Sequence, residues 1–160
     1  MRRFEVSSRD VDTEKLLRLL KGHKVDFVVI GATAFPVHGY ARATLDIDLF
    51  IRPEKKNVEK TWKALKEFGY DVEDISVDDL LNKKLLIRQY AVETDIHPFV
   101  KGTSFGRVWK RKIRGKFGQT WVSFASLEDL IEMKKAAGRP QDLADLKYLI
   151  RLKRKSRKRR

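Results

Sequence analysis

The chain has 160 residues, of which 42% are hydrophobic and 10% aromatic, a composition typical of a globular protein rather than a disordered one. Its formal net charge is +14, and eight of the positive charges lie in the last ten residues, RLKRKSRKRR. Cysteine is absent, which excludes disulfides, thiolate metal sites and a cysteine nucleophile.

The length and composition predict one domain over residues 1–150, followed by a basic tail over residues 151–160. The tail is either a disordered extension or a continuation of the last helix. It serves either as an arm for nucleic acid or as a solvated extension that aids solubility. No apolar run reaches the roughly 18 residues of a membrane span, and the N-terminus lacks the apolar core of a signal peptide. We therefore expect a cytoplasmic protein with no membrane partner.

The first predicted elements lead to a glycine. A helix is expected from about residue 12 to 21, with a leucine stripe that ends before Gly22. The run DFVVIG, residues 26–31, predicts a buried strand that enters a tight turn at Gly31. A short helix should follow, with Pro36 close to its start.

The second predicted strand, TLDIDLFI over residues 44–51, carries two acids. Because side chains alternate along a strand, Asp46 and Asp48 should share one face, with apolar residues on the other. The rest of the pattern predicts a helix over 54–68, a short capped helix over 76–83, strands over 85–90, 92–99 and 120–125, a helix that begins at Ser126 and ends at Gly138, and a final helix from near Pro140.

The paired carboxylates are unusual inside an apolar strand. Such a pair on an edge strand can be a merely solvated face, but Asp95 occurs in a similar apolar setting, ETDIHPF, in another strand. Three carboxylates that converge repel one another unless divalent cations neutralise them, and Mg²⁺ prefers carboxylate oxygens. We therefore expect Asp46, Asp48 and Asp95 to form a metal site.

The junction after the first strand suggests a phosphate site. A strand, then Gly31, then a helix start exposes backbone N–H groups at the positive end of a helix, which favours an anion. Ala32 and Thr33 would donate there. Most junctions of this kind are simple turns, so the inference depends on the nearby carboxylates.

The stretch GATAFPVHGYARATLDIDLFI, residues 31–51, resembles the nucleotidyltransferase signature of the DNA polymerase β superfamily, in which Gly-Gly or Gly-Ser precedes Asp-x-Asp. With LEDLIEMKKAAGRPQDLADLKYL, residues 127–149, it is also similar to minimal nucleotidyltransferase-like proteins, including relatives of AbiEii-type toxins. The resemblance covers about residues 26–150. It implies an α/β (α+β) nucleotidyltransferase fold, a mixed twisted sheet with packed helices and a C-terminal helical segment.

The resemblance also implies roles for individual residues. Two Mg²⁺ ions would be held by the aspartates, with Asp95 as the third carboxylate that assists deprotonation of the attacking hydroxyl. Ala32 stands where the superfamily has Gly or Ser, which removes a hydroxyl contact but keeps the backbone donor. The residues implied to bind the nucleotide are Gly31, Ala32, Thr33, Arg42, Thr44 and Lys134.

The implied activity is Mg²⁺-dependent transfer of NMP from an NTP to a hydroxyl of RNA, such as tRNA, or of a protein. Two alternatives use the same fold. One is a noncatalytic module that binds nucleic acid or a protein partner. The other is one component of a toxin–antitoxin pair that acts with a cognate partner.

Several further residues have both structural and functional interpretations. His38 and His97 border the expected site, where a histidine more often makes a structural hydrogen bond. Arg139, Asp142 and Asp145 match a family run, although a brace between two helices explains them equally well.

The segment WKRKIRGKFG, residues 109–118, interleaves bases with aromatics, as nucleic-acid surfaces do, or forms the basic face of a hairpin. The three tryptophans, Trp62, Trp109 and Trp121, are assigned to the core.

Overall fold

The computed structural model describes residues 8–42, 44, 46–89 and 92–158. The helices are α1 (Ser8–Gly22), α2 (Lys55–Phe68), α3 (Val77–Asn82), α4 (Phe105–Arg111), α5 (Leu127–Ala137) and α6 (Pro140–Lys158). The strands are β1 (Phe27–Ile30), β2 (Asp46–Ile51), β3 (Leu85–Ile87), β4 (Glu93–His97), β5 (Ile113–Phe117) and β6 (Thr120–Phe124).

Within these ranges the strands form one six-stranded sheet in the order β3-β4-β2-β1-β6-β5. Strand β1 pairs antiparallel with β2 and parallel with β6, and β2 pairs parallel with β4. Both edge strands, β3 and β5, pair antiparallel with their neighbours. The expected mixed sheet with packed helices is therefore confirmed.

The alternation in β2 separates a wet face from the core. Ile47 and Leu49 are buried, whereas Asp46 and Asp48 are only partly buried. The centre of the sheet is apolar because β1 is buried along its whole length, and α1 packs against α2 beside it. Burying such side chains supplies most of the driving force for folding.

Most predicted helix ends are present, although α1 begins at Ser8, four residues before the expected start near residue 12. Ser76 and Asp79 form a reciprocal capping box at α3, and the Ser126 hydroxyl accepts a hydrogen bond from the Asp129 amide at α5. Gly138 ends α5 with φ of 66°. The short helix expected after β1 is instead a pair of 3-10 turns, Gly31–Ala34 and Pro36–His38. Strands β3 and β4 are shorter than predicted, and residues 45, 90 and 91 lie outside the described ranges.

Helix α4 was not predicted. Residues 109–111 of the basic aromatic segment complete this helix, and only residues 113–117 form a strand. The Ser104 hydroxyl caps α4 by accepting from the Arg107 amide. Phe105 and Val108 are buried and Trp109 is partly buried, a spacing of three and four residues that places them on one helix face.

Residues 151–158 of the basic tail continue α6. Leu152 is partly buried against the core, whereas the basic residues that follow it, up to residue 158, are mostly exposed. Among the described helices none is both long and apolar enough to cross a membrane.

Candidate functional site

The parallel pairing of β2 with β4 brings two of the three predicted carboxylates together. Asp48 is the register partner of Asp95, and Asp46 is the partner of Glu93. Partners in register project to the same face of a sheet. One ligand atom each from Asp48, Asp95 and His97 lies within 4.8 Å of the other two.

Asp46 is not a member of this three-residue cluster. Its Oδ1 is buried and accepts no hydrogen bond within the part of the chain that the structure describes. Its Oδ2 lies 3.9 Å from Arg88 Nη2. The three aspartates thus share a strand face, but the link between Asp46 and Asp95 runs through a guanidinium.

Arg88 lies directly over these carboxylates. Its Nη1 donates to Asp95 Oδ1 at 2.6 Å, and Lys84 Nζ lies 3.9 Å from Asp95 Oδ2. The hydrogen bond to Asp95 raises the pKa of the Arg88 guanidinium above its usual value, so the residue remains charged. No sequence pattern marked Arg88, because it follows the short edge strand β3 in a connecting segment.

The two histidines that were expected to border the site, His38 and His97, have different roles. His97 Nε2 lies 2.8 Å from Asp48 Oδ1, so this side chain belongs to the carboxylate cluster. The alternation of ETDIHPF could have indicated this, since His97 is two residues from Asp95 on the same strand. His38 Nε2 lies 2.8 Å from the carbonyl oxygen of Ala125, which is the structural hydrogen bond that was expected.

Gly31 closes the site from the end of β1. Its φ is +68°, and a Cβ built there would lie 2.6 Å from Asp48 Oδ2. Any larger residue would therefore be strained and would displace Asp48. The sequence assigned Gly31 to a tight turn, and the structure adds close approach of the backbone to a carboxylate.

The neighbouring threonines support the start of β2. The hydroxyl of Thr33 donates to the carbonyl oxygen of Asp46 at 3.2 Å, and that of Thr44 donates to the same oxygen at 3.1 Å. Ala32 is buried. These hydroxyls are used to hold the backbone of a candidate metal ligand.

A pocket of about 470 Å³ opens between the carboxylates and α5. Gly31, Asp48 and His97 form one side of it. The other walls are of two kinds, an apolar one and a basic one: Phe99, Val100, Leu130, Met133 and Ala137 are apolar, and Lys84, Lys101, Lys134 and Arg139 are cationic.

Two cations of the basic wall, Lys134 and Arg139, are fixed by acids of α6. Lys134 Nζ lies 3.0 Å from Asp142 Oδ1 and 3.2 Å from Asp145 Oδ2. Arg139 Nε donates to Asp142 Oδ2 at 2.7 Å, and Arg42 Nε lies 3.3 Å from Asp145 Oδ1. The hydrogen bond from Arg139, followed by that from Lys134, lowers the pKa of Asp142 to about 2. The brace between two helices is therefore present, and it holds Lys134 at the pocket.

Residues 9–153 match the model of a family described as nucleotidyltransferases of unknown function, DUF6036. The chain belongs to this nucleotidyltransferase family. None of the curated proteins compared with the sequence matches it. The family assignment confirms the resemblance to nucleotidyltransferases and leaves the substrate and the acceptor open.

The donor atoms in this family member fit a divalent cation. Donors within 4.8 Å of one another can surround an ion whose bonds to oxygen are about 2.1 to 2.4 Å long. The unpartnered Oδ1 of Asp46 supplies a further acceptor on the same strand face. Carboxylate oxygens suit Mg²⁺ or Mn²⁺, so the aspartates could hold either ion, with His97 hydrogen-bonded to Asp48 beside them.

Proposed function

We propose that this protein is a metal-dependent nucleotidyltransferase that moves NMP from an NTP to a hydroxyl of RNA, such as tRNA, or of a protein. The observation that carries the proposal is the register pairing of Asp48 with Asp95 beside Gly31. This arrangement places Asp48 in a pocket whose basic wall is formed by Lys84, Lys101, Lys134 and Arg139. A triphosphate has the charge that such a basic wall favours.

In this proposal Asp46, Asp48 and Asp95 hold two Mg²⁺ ions, and His97 keeps Asp48 oriented. The chemistry that Mg²⁺ supplies at such a site is neutralisation of charge on the transferring phosphoryl group and on the attacking hydroxyl. Asp95 is the most buried of the three, which suits a carboxylate that takes a proton from the acceptor.

The proposed contacts to the nucleotide centre on Gly31 and Lys134, both of which line the pocket. Ala32 and Thr33 follow in the same 3-10 turn, and Thr44 supports Asp46. Arg42 would contact phosphate by exchanging its partner Asp145, since its side chain is one third exposed. Lys134 contacts two carboxylates, those of Asp142 and Asp145, which hold its side chain in place. We therefore expect it to orient phosphate oxygens from this fixed position.

One observation favours a second candidate, a noncatalytic module that binds nucleic acid or a partner on the same fold. Arg88 and Lys84 already neutralise Asp95. If these cations stay in place when nucleotide is present, the third carboxylate is not available to a metal or a proton.

Transfer of label distinguishes the two candidates. Each labelled NTP is incubated with Mg²⁺ and total tRNA or protein acceptors. The Asp48→Asn variant should lower the rate of label transfer at least about 100-fold. It loses several kcal/mol of charge stabilisation in the transition state, and each loss of about 1.4 kcal/mol lowers the rate tenfold. Asp74→Asn, a change at an exposed carboxylate, should leave the rate unchanged.

NTP binding without transfer to any acceptor would support the noncatalytic module. Loss of transfer in both variants would contradict the assignment of Asp48.

A further inference from the structure

A second pocket, of about 380 Å³, lies at the opposite end of β1 from the carboxylates. It is lined by Lys24, Phe27, Trp109, Arg114 and Trp121 among others. The rise of about 3.3 Å per strand residue places Phe27 about 13 Å along β1 from Gly31, and the two pockets share no lining residue. The two pockets are therefore separate sites.

The outer face of the β5–β6 hairpin supplies an exposed aromatic ring with cations beside it. Lys116 is the register partner of Trp121, and its Nζ lies 5.2 Å from the centre of that ring. The guanidinium of Arg114 lies 4.9 Å from the same centre. Trp121 is 42% exposed, so the expectation that it belongs to the core is wrong. The inner face of the hairpin packs on the core, whereas the outer face, which carries Trp121, is exposed.

The surroundings of this ring are basic. Lys112 Nζ lies 4.0 Å from the ring centre of Trp109, and Lys21 donates to the backbone carbonyl of Trp121. The acid in the pocket, Asp26, is paired with Arg52 at 2.8 Å. The positive charge of the pocket is therefore not cancelled locally.

Lys24 contributes a separate observation. It is the non-glycine residue with positive φ among the described residues, at 60°, where helix α1 ends. Such positions favour glycine, because a Cβ is strained in the left-handed region. An exposed lysine in this conformation fits the pattern in which backbone strain occurs at functional positions.

We infer that this basic-aromatic surface, formed by Lys24, Arg114, Lys116 and Trp121, binds single-stranded RNA. An unpaired base has a free face to stack on Trp121, and Arg114 and Lys116 lie close enough to that ring to pair with the adjoining phosphates. Loops and ends of RNA present such unpaired bases. The inference goes beyond the proposed function, because binding at this surface does not require nucleotide transfer.

Two other partners fit the surface less well. A membrane would require an apolar patch that enters the lipid, whereas Trp121 is surrounded by cations. An acidic peptide would neutralise the cations but leave the tryptophan ring without a stacking partner.

The test is fluorescence anisotropy of the full chain with a labelled oligouridylate of about 12 nucleotides, a length that one small domain covers. Trp121→Ala should weaken binding at least about fivefold, the low end for loss of one stacking ring. Trp121→Phe should restore most of the affinity. Arg114→Ala with Lys116→Ala should weaken binding and reduce the slope of log K against log salt by about 1.4. The matched control, Lys60→Ala with Lys63→Ala, removes the same charge from α2. It should change RNA affinity and its salt slope little.

Lys24→Gly separates binding from folding. This change should raise Tm, because it relieves the left-handed lysine, and should nevertheless weaken RNA binding. Wild-type affinity in Trp121→Ala would overturn the inference. Equal weakening of RNA binding in the α2 control variant, or equal affinity of the wild type for duplex and single-stranded RNA, would also overturn it. The same holds if the protein binds anionic phospholipid vesicles more tightly than RNA and this binding depends on Trp121.

Discussion

The guanidinium of Arg88 donates to the carboxylate of Asp95 at 2.6 Å, and its other nitrogens lie 3.9 Å from Asp46 and 3.8 Å from Glu93. The pairing of β3 with β4 sets this position, because Leu86 is the register partner of Asp95 and Arg88 follows two residues later. A cation of the chain itself therefore neutralises the carboxylates in this conformation. A divalent ion bound by these carboxylates would compete with Arg88 for Asp95.

Removal of Arg88 should therefore strengthen metal binding. We expect Arg88→Ala to bind Mn²⁺ more tightly by about 1 to 2 kcal/mol, since a hydrogen bond to a charged group no longer opposes the ion. The metal-free variant should have a lower Tm, because Asp46 and Asp95 lose their counterion. Calorimetry and thermal unfolding with Mn²⁺ measure both effects. Arg88→Lys, which keeps the charge, should resemble the wild type, and weaker Mn²⁺ binding by Arg88→Ala would contradict competition.

Gly31 and Gly39 allow a matched pair of alanine variants. Both residues have positive φ, but a Cβ on Gly31 meets Asp48 at 2.6 Å whereas one on Gly39 meets nothing within 4 Å. Each substitution should cost about 1 to 2 kcal/mol of stability from backbone strain. Only Gly31→Ala should also lower Mn²⁺ affinity. Equal Mn²⁺ binding by the two variants would show that Gly31 does not shape the metal site.

The sequence predicted that Asp46 and Asp48 share one face of β2, because the period of a strand fixes the side on which each of its residues lies. It did not predict that β2 and β4 pair in the register that sets Asp48 against Asp95, since strand order depends on packing of the whole chain. The role of Arg88 was missed for the same reason. Its partners are close in space and set by the pairing of an edge strand.

Local signals were sufficient for most helix ends, since Ser76, Ser126 and Gly138 act within one turn. They were insufficient for α4, where three basic residues masked the helical spacing of Phe105 and Val108. Trp121 shows a different limit. An aromatic residue in a strand is normally assigned to the core, and only the sheet edge reveals that one face of the hairpin is open.

The ion pairs that Asp142 makes between α5 and α6 should make the free energy of unfolding depend on pH in the acid range. The pKa of Asp142 is depressed to about 2 from an unfolded value of 3.8. The ionised Asp142 carboxylate therefore contributes about 2 kcal/mol to the free energy of unfolding. This contribution is fully present above pH 3.8 and is lost as the pH falls through about 2. In urea unfolding, Asp142→Asn should lower stability near neutral pH and lose this part of the pH dependence. The exposed change Asp74→Asn should retain it, and an unchanged acid profile in Asp142→Asn would refute the assignment.

Truncation of α6 should separate packing from charge. A chain that ends at Lys153 keeps Leu152, which packs against the core, and loses six basic residues. We expect this truncation to leave Tm unchanged and to weaken RNA binding mainly at low salt, because the basic residues that it removes contribute to RNA affinity through counterion release. A chain that ends at Ile150 should have a lower Tm. RNA affinity and salt slope identical to those of the full chain would mark the end of α6 as a solvated extension.

The open edges of the sheet also bear on self-association. Exposed strand edges can pair with the same edge of another molecule and begin aggregation. Here one edge strand, β3, has only three residues, and the other, β5, presents Arg114 and Lys116 on its outer face. Charges of like sign on β5 repel a second copy aligned with it. Loss of both cations should therefore increase light scattering at high protein concentration, in addition to its effect on ligand affinity.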